Sequence, residues 1–406
     1  MKITLLHYAA LPIIGGVESV MGHHARLMAG AGHQVRVIAG RGEQVDPRVR
    51  FKRLPLIDSR DDEVLRLKSD LDAGTVPTGF DSLVERIQTQ LAEAIADSDW
   101  LIAHNVCSLN KNLALTAALR RISENCSHPR FILWHHDLAW TTPRYRNELH
   151  DGYPWGLLRT DWPQAVQVVV SGTRRRELAG LLNVPLERIH VVPNGIDAIQ
   201  FLKLGLQTQA FVKQLNLFSS EPLVLLPARI TPRKNIELAL RVLAELRKEF
   251  ARAMLIVTGP LGPHNPANVQ YFERLVALRR ELKLEGAAHF LAELTDQYLS
   301  DEVIADFYRM ADLLFLPSRE EGFGIPVLEA GLRGIPIFCA DIPTLRELGD
   351  GQANYFSPGE DPKLLADRMA DWLKADPLFS LRKRVQDEFT WEQIYARYIS
   401  PLLVKG

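Results

Sequence analysis

The 406-residue sequence is poor in cysteine: Cys107, Cys126 and Cys339 are its only three. They are too few and too scattered for a disulfide framework or a zinc site, and a reducing compartment is the simplest setting for them. Excess charge is missing too. The formal net charge is −1, so bulk electrostatics gives no reason to expect nucleic acid as the main partner. No apolar run approaches the ~20 residues of a membrane span. The opening stretch MKITLLHYAALPIIGG has one lysine and an apolar run. His7 and Pro12 interrupt that run and no small-residue cleavage site follows, so a secretory signal is not expected. Repeats of solenoid period and low-complexity tracts are absent. The expectation is a soluble, cytoplasmic protein without membrane association. No feature of the sequence points to an oligomeric state.

What the chain has is 47% hydrophobic residues, enough for two or three cored domains, and they come in short runs. Ile3–His7, Gln34–Ala39, Val49–Leu54, Trp100–Ala103, Phe131–Trp134, Val166–Val170 and Ile189–Val192 read as strands. Helical patterns such as Val17–Met28 and Leu113–Arg121 lie between several of them. The rhythm restarts with Leu223–Leu226, Met254–Thr258, Ala288–Leu291, Leu313–Leu316 and Pro336–Cys339. Strands alternating with helices imply parallel sheets covered on both faces. The fold class is therefore α/β, with two doubly wound Rossmann-like domains facing a central cleft. The expected boundaries are 1–197 and 198–388, with the Asn-Gly turn of Val191–Asp197 at the seam. Residues 389–406 read as a helix that crosses back to the first domain. Ligands of such sheets bind beyond the carboxyl ends of the strands, so those loops are where chemistry is sought.

Five loops qualify. Ala9–Gly16 ends in Gly15-Gly16 and opens a helix, where a ligand can approach the backbone closely. It is not a dinucleotide fingerprint, since no G-x-G-x-x-G is present and no acid closes Gln34–Ala39. Phe131–Asp137 ends a strand in two histidines and an aspartate, a candidate for hydrogen bonding or proton chemistry. His23 and His24, mid-helix, read as packing or surface residues. Val168–Arg176 brings three arginines to a helix start. They could grip a phosphate by forked hydrogen bonds, or they could be a solvated basic turn. Leu225–Asn235 brings Arg229, Arg233 and Lys234 to another helix start. Cations there oppose the helix dipole, and an anionic ligand relieves that cost. Finally, REEGFGIPVLEAGLRGIP (Arg319–Pro336) sets Glu321 and Glu329 around a glycine turn at a helix N-terminus. Pro326 suits the first turn of that helix. A phosphate fits such a terminus, but carboxylates repel one, so the glutamates must hold another part of the same ligand.

The ordered set resembles the retaining glycosyltransferases of family 4, which have the GT-B fold. It comprises Gly15-Gly16, His136-Asp137, Val192–Asp197, Ala228–Lys234, Glu321–Glu329 and the Trp391 tail, and it spans most of the chain. The resemblance implies a nucleotide-diphosphate sugar as donor. Glu329 would accept from the ribose hydroxyls, and Glu321 would face the donor sugar. Gly15, Gly16 and the backbone of Gly322, Phe323 and Gly324 would line sugar and phosphate, and the loop at Leu294 would hold the base. Arg229 and Lys234 would hold the diphosphate as it leaves, and His136 would position the sugar. No general base is implied, because the departing phosphate takes the acceptor's proton. No cofactor or metal is implied either. Asp97-Ser-Asp99 precedes a strand rather than following one, and Asp70-Leu-Asp72 lies in a polar helical stretch. For the acceptor, Arg174, Arg176 and Arg144, with Trp140 for stacking, suggest a small sugar or sugar phosphate, as in the sucrose-phosphate synthases with UDP-glucose. A lipopolysaccharide or exopolysaccharide acceptor, a nucleotide-sugar epimerase, a two-carboxylate glycosidase and an inactive sugar-binding module are the alternatives.

Overall fold

The computed structural model describes residues 1–261 and 266–405. The chain divides into two compact units: Met1–Ile196 together with Phe389–Gly406, and Asp197–Glu388.

The first unit holds a seven-stranded parallel sheet of β1 (Lys2–Ala9), β2 (Gln34–Arg41), β3 (Val49–Arg53), β4 (Trp100–His104), β5 (Arg130–His135), β6 (Val166–Val169) and β7 (Ile189–Val191). Its order is β3-β2-β1-β4-β5-β6-β7. Alternation within β1 shows why both faces need cover. Ile3 and Leu5 join one core, which includes Met21 and Met28 of the helix Gly16–Gly30. Leu6 and Tyr8 join the other, with the helices Phe80–Ile95 and Leu113–Asn125. The tail returns to this unit. Trp391 (3% exposed) and Ile394 (0%) sit in the first of these cores, and the His23 ring stacks on Trp391 with centroids 4.9 Å apart. The tail's helix is broken into Trp391–Ile394, a π-turn Tyr395–Ile399, and Ser400–Lys405.

The second unit repeats the plan with β8 (Leu223–Leu226), β9 (Met254–Val257), β10 (Ala288–Phe290), β11 (Leu313–Leu316), β12 (Ile337–Ala340) and β13 (Asn354–Phe356), in the order β10-β9-β8-β11-β12-β13. All pairings are parallel. The sequence reading lacked β13, which has three residues and is half-exposed at two of them. It also lacked the helices Ala198–Leu202 and Leu206–Leu215.

Each strand order reverses direction once, between β1 and β4 and between β8 and β11. Adjacent strands there send their outgoing chains to opposite faces, which opens a crevice beyond their carboxyl ends. Both units are therefore doubly wound Rossmann-like domains, and each has one switch point. Among the described residues no helix is long and apolar enough to cross a membrane.

Candidate functional site

In the second unit the switch point brings together the two motifs that sequence set apart. The loop leaving β8 carries Arg229 and Lys234. The loop leaving β11 carries Ser318 and Glu321. The Lys234 ammonium donates to the Glu321 carboxylate, 87 residues away, and Ser318 donates to the same oxygen at 2.7 Å. Arg233 lies 3.6 Å from the other oxygen. The ion pair is buried, with side-chain exposures of 10% for Lys234 and 8% for Glu321. Burial pulls the Lys234 pKa down, and Glu321 pulls it only partly back. Both loops are sewn together further, since Arg319 N donates to Arg233 O at 2.8 Å and the Arg319 guanidinium to Asn235 Oδ1 at 3.2 Å. Arg229, by contrast, is exposed and has no ionic or hydrogen-bond partner among the described residues. The roles expected of Lys234 and Glu321 thus fall on one internally neutral pair, and Arg229 is a cation beside it with no carboxylate partner among the described residues.

Two glycines make this geometry possible. Gly324 has φ +98°, a left-handed conformation at the N-cap of the helix Ile325–Arg333, and a Cβ there would also meet Leu345 at 2.7 Å. Gly259, just past β9, lets the β8 loop lie against it: a Cβ would meet Ala228 O at 1.9 Å and Arg229 N at 2.4 Å. Sequence reasoning passed over Gly259, whose only signal is a glycine right after an apolar strand. Gly322 faces open space, and Phe323 is 56% exposed. One turn into the helix, Glu329 is half-buried. Tyr308 donates to its Oε2 at 2.6 Å, and the carboxylate pushes the Tyr308 hydroxyl's pKa further up after burial has raised it. Glu329 Oε1 keeps both lone pairs free of protein partners among the described residues. Leu294 is half-buried after the turn Leu291–Glu293, with its N–H on Leu291 O at 2.9 Å. Glu293 beside it is held by the bidentate Arg279, at 2.6 and 2.8 Å.

In the first unit the switch point is lined by histidines. His7 Nδ1 donates to the His104 carbonyl at 2.7 Å, and His7 Nε2 lies 3.8 Å from Glu18. His104 Nδ1 meets His136 Nε2 at 3.2 Å. His24 is 0% exposed, with its ring 4.6 Å from Trp134 and 5.4 Å from His104. Burial is the main cause that holds these imidazoles neutral: His7 and His24 are pulled to about 3 and His136 to about 4. Asn105, at φ +58°, accepts from the backbone N–H groups of His136 (2.6 Å) and Asp137 (3.1 Å) and so shapes the exit from β5. Sequence had marked His136. His104 and Asn105 escaped it, since each is one polar residue at the end of an apolar run. Gly15 precedes the helix whose first turn holds Glu18, and a Cβ on Gly15 would lie 2.1 Å from the Glu18 carboxylate, while Gly16 faces open space.

The acceptor candidates lie on the Trp140 loop and the helix Gly172–Leu182, which Glu177 joins by accepting from Thr141 Oγ1 at 3.1 Å and from Arg174 at 2.7 Å. Arg174 is already committed, to Glu177 at 2.7 Å and Asp137 at 3.8 Å. Arg175 has a buried Nε without a partner. Arg176 is exposed and donates only to Thr173 Oγ1, at 3.3 Å. Arg144 is exposed and lies 4.7 Å over the Tyr145 ring. Trp140 packs its loop: Nε1 donates to Trp155 O at 3.3 Å, and Arg159 covers the ring at 4.0 Å. Among the described residues no group of three His, Cys, Asp or Glu side chains is placed to hold a metal ion. Asp72 pairs with Lys68, and Asp97 with Arg36 and Lys2.

Comparison with known proteins assigns both units. Residues 14–199 match the model of Glycosyltransferase Family 4, and residues 207–388 that of Glycosyl transferases group 1. A D-inositol 3-phosphate glycosyltransferase of Nocardia farcinica is 32% identical over 212 residues, 51% of this chain and 43% of that protein. A mannosylglucosylglycerate synthase of Petrotoga mobilis is 27% identical over 281 residues, 65% of this chain and 64% of that protein. The chain thus spans less than two thirds of the length of either relative. A sucrose-phosphate synthase structure from Thermosynechococcus elongatus aligns over 100% of both chains, with 17% identity and a TM-score of 0.37, too loose an overlap to carry an argument. With one family model on each unit and two doubly wound domains beneath them, the chain belongs to glycosyltransferase family 4 and has the GT-B fold.

Proposed function

We propose that this protein is a retaining glycosyltransferase that moves a hexose from a nucleoside diphosphate sugar to a hydroxyl of a small phosphorylated acceptor. The observation that carries this reading is the switch point of the second unit. A buried Lys234–Glu321 pair, an uncompensated Arg229 and the free Oε1 of Glu329 all lie at the carboxyl ends of β8 and β11 or in the helix that follows. Glu329 Oε1 suits a pair of ribose hydroxyls, because it offers only lone pairs. Tyr308 holds the other oxygen and fixes the carboxylate's orientation. Arg229 and the remaining ammonium protons of Lys234 suit a diphosphate, and their effect grows as charge accumulates on the leaving group. Glu321 balances Lys234 before the donor binds and faces the anomeric carbon afterwards. The acceptor hydroxyl gives its proton to the departing phosphate oxygen as its own oxygen bonds the anomeric carbon on the same face, so no protein base is needed.

For the acceptor, Arg176 and Arg144 are the arginines of that set that no carboxylate neutralises. A phosphorylated acceptor accords with the name of the Nocardia relative, and UDP-glucose is the first donor to test. The test is a donor-by-acceptor screen that reads release of nucleoside diphosphate, with the anomeric configuration of the product read by NMR. Transfer with retention to a sugar phosphate or cyclitol phosphate is expected. Hydrolysis of a simple glycoside without any nucleotide, or an inverted product, would overturn the reading.

A further inference from the structure

We infer that His104, buried behind His136, fixes His136 as its Nδ1–H tautomer and so makes it a hydrogen-bond donor to the ligand with no lone pair left to act as a base. The ligand role rests on the glycosyltransferase reading; the tautomer does not.

The hydrogen bonds determine where the protons sit. A carbonyl can only accept, so the 2.7 Å contact between His7 Nδ1 and His104 O puts the His7 proton on Nδ1. That contact also holds the His104 backbone at the end of β4. Between His104 Nδ1 and His136 Nε2, at 3.2 Å, one nitrogen must donate. His104 Nε2 is buried and has no partner among the described residues. If His136 donated, the single proton of a neutral His104 would sit on that Nε2, as a buried N–H facing no acceptor. If His104 donates, its proton is used and Nε2 keeps only a lone pair. Orphaned buried N–H groups are rarer and costlier than under-used acceptors. A doubly protonated His104 is excluded by its surroundings: its ring neighbours are His24, Trp134 and His136, it is 0% exposed, and burial drives its pKa well down. His104 is therefore the donor, His136 Nε2 accepts, and the proton of neutral His136 sits on Nδ1. His136 then offers N–H to a hydroxyl or phosphate oxygen, and His104 acts through it as a positioning residue.

The protein's twelve histidines can be read by 15N-edited NMR at neutral pH, with His136 assigned by difference against His136→Gln. The wild type is expected to show His136 with a protonated Nδ1 and a bare Nε2. The reverse pattern overturns the inference without any variant. His104→Asn, whose amide can still donate, should keep that pattern, and His104→Phe should lose it. In the transfer assay, His104→Phe should lower kcat about tenfold, the usual scale for a lost partner of an oriented imidazole. It should cost almost nothing further in a His136→Gln background. An equal loss in both backgrounds would make His104 a packing residue only and would also overturn the inference. A chain that shows the expected tautomer but transfers no sugar would instead remove the proposed function.

Discussion

Replacing Glu321 by Gln changes almost nothing but charge. Volume is kept, and the amide oxygen can still accept from Ser318. What is lost is the only carboxylate against the Lys234 ammonium among the described residues, where the lysine side chain is 10% exposed. Breaking a buried pair from one side typically costs about 3–5 kcal/mol, because a charge is left without compensation. The lysine sets a ceiling on that cost by releasing its proton. From an ordinary lysine pKa, neutralisation at pH 7 costs about 4–5 kcal/mol, so the loss stays within the range of about 3–5 kcal/mol expected for breaking a buried pair. The sign of the pH dependence follows. In the variant the folded-state pKa is further depressed while the unfolded-state pKa is not, so the unfolded chain binds more protons across the window between them, and stability rises with pH there. Calorimetry of the second unit's transition reads this directly. For a unit of this size about 3 kcal/mol is roughly 6–12 °C in Tm. The deficit should appear at pH 7 and shrink to about 1 kcal/mol near pH 9.5. Adding Lys234→Met should recover most of it, since an uncharged side chain of similar volume removes the stranded charge. A pH-independent change below about 1 kcal/mol in Glu321→Gln would refute the claim that these two charges compensate each other.

Arg229→Ala should leave stability within about 0.5 kcal/mol, as expected for an exposed residue without partners, yet lower kcat by roughly 10²-fold if the guanidinium stabilises the leaving diphosphate. Steady-state kinetics beside a melting curve checks both halves. Glu329→Ala should raise the donor KM more than it lowers kcat, because a ribose contact is made before and during the reaction. An unchanged donor KM counts against that role. The first unit should lose stability as pH falls from about 6.5 to 4. Its buried imidazoles, at about 3 for His7 and His24 and about 4 for His135 and His136, stay neutral while the unfolded chain protonates, at a cost of up to about 3 kcal/mol per group. Six of the seven tryptophans lie in this unit, so fluorescence-detected unfolding reports on it. Flat stability over that range would contradict the neutral cluster.

The double set of strands was legible because buried parallel strands leave unbroken apolar runs, as in Leu313–Leu316. β13 was not, since Asn354 and Tyr355 are half-exposed at a sheet edge and three residues carry no period. The helix Asp62–Asp72 showed in sequence only as a polar helical stretch around Asp70-Leu-Asp72, because Val64 and Leu71 are its only buried residues. The charged motifs could be named from sequence, but their pairing could not. Nothing local to Lys234 says that its partner is Glu321, because only the parallel pairing of β8 with β11 brings those loops together. The same holds for His104 and His136, which sit at the ends of the neighbouring strands β4 and β5. Trp140 read as a stacking platform because aromatic residues in a loop look alike in sequence, whether they pack or bind. The structure puts Arg159 on its ring.

The central claim is that the second unit holds a nucleoside diphosphate through Arg229, Lys234 and Glu329. Isothermal titration of UDP, GDP and ADP into the full chain tests it most directly. At least one diphosphate should bind the wild type, Arg229→Ala should weaken the diphosphate far more than the free nucleoside, and Glu329→Ala should weaken both. Failure of every nucleoside diphosphate to bind the wild type, or equal affinity in both variants, would contradict the account.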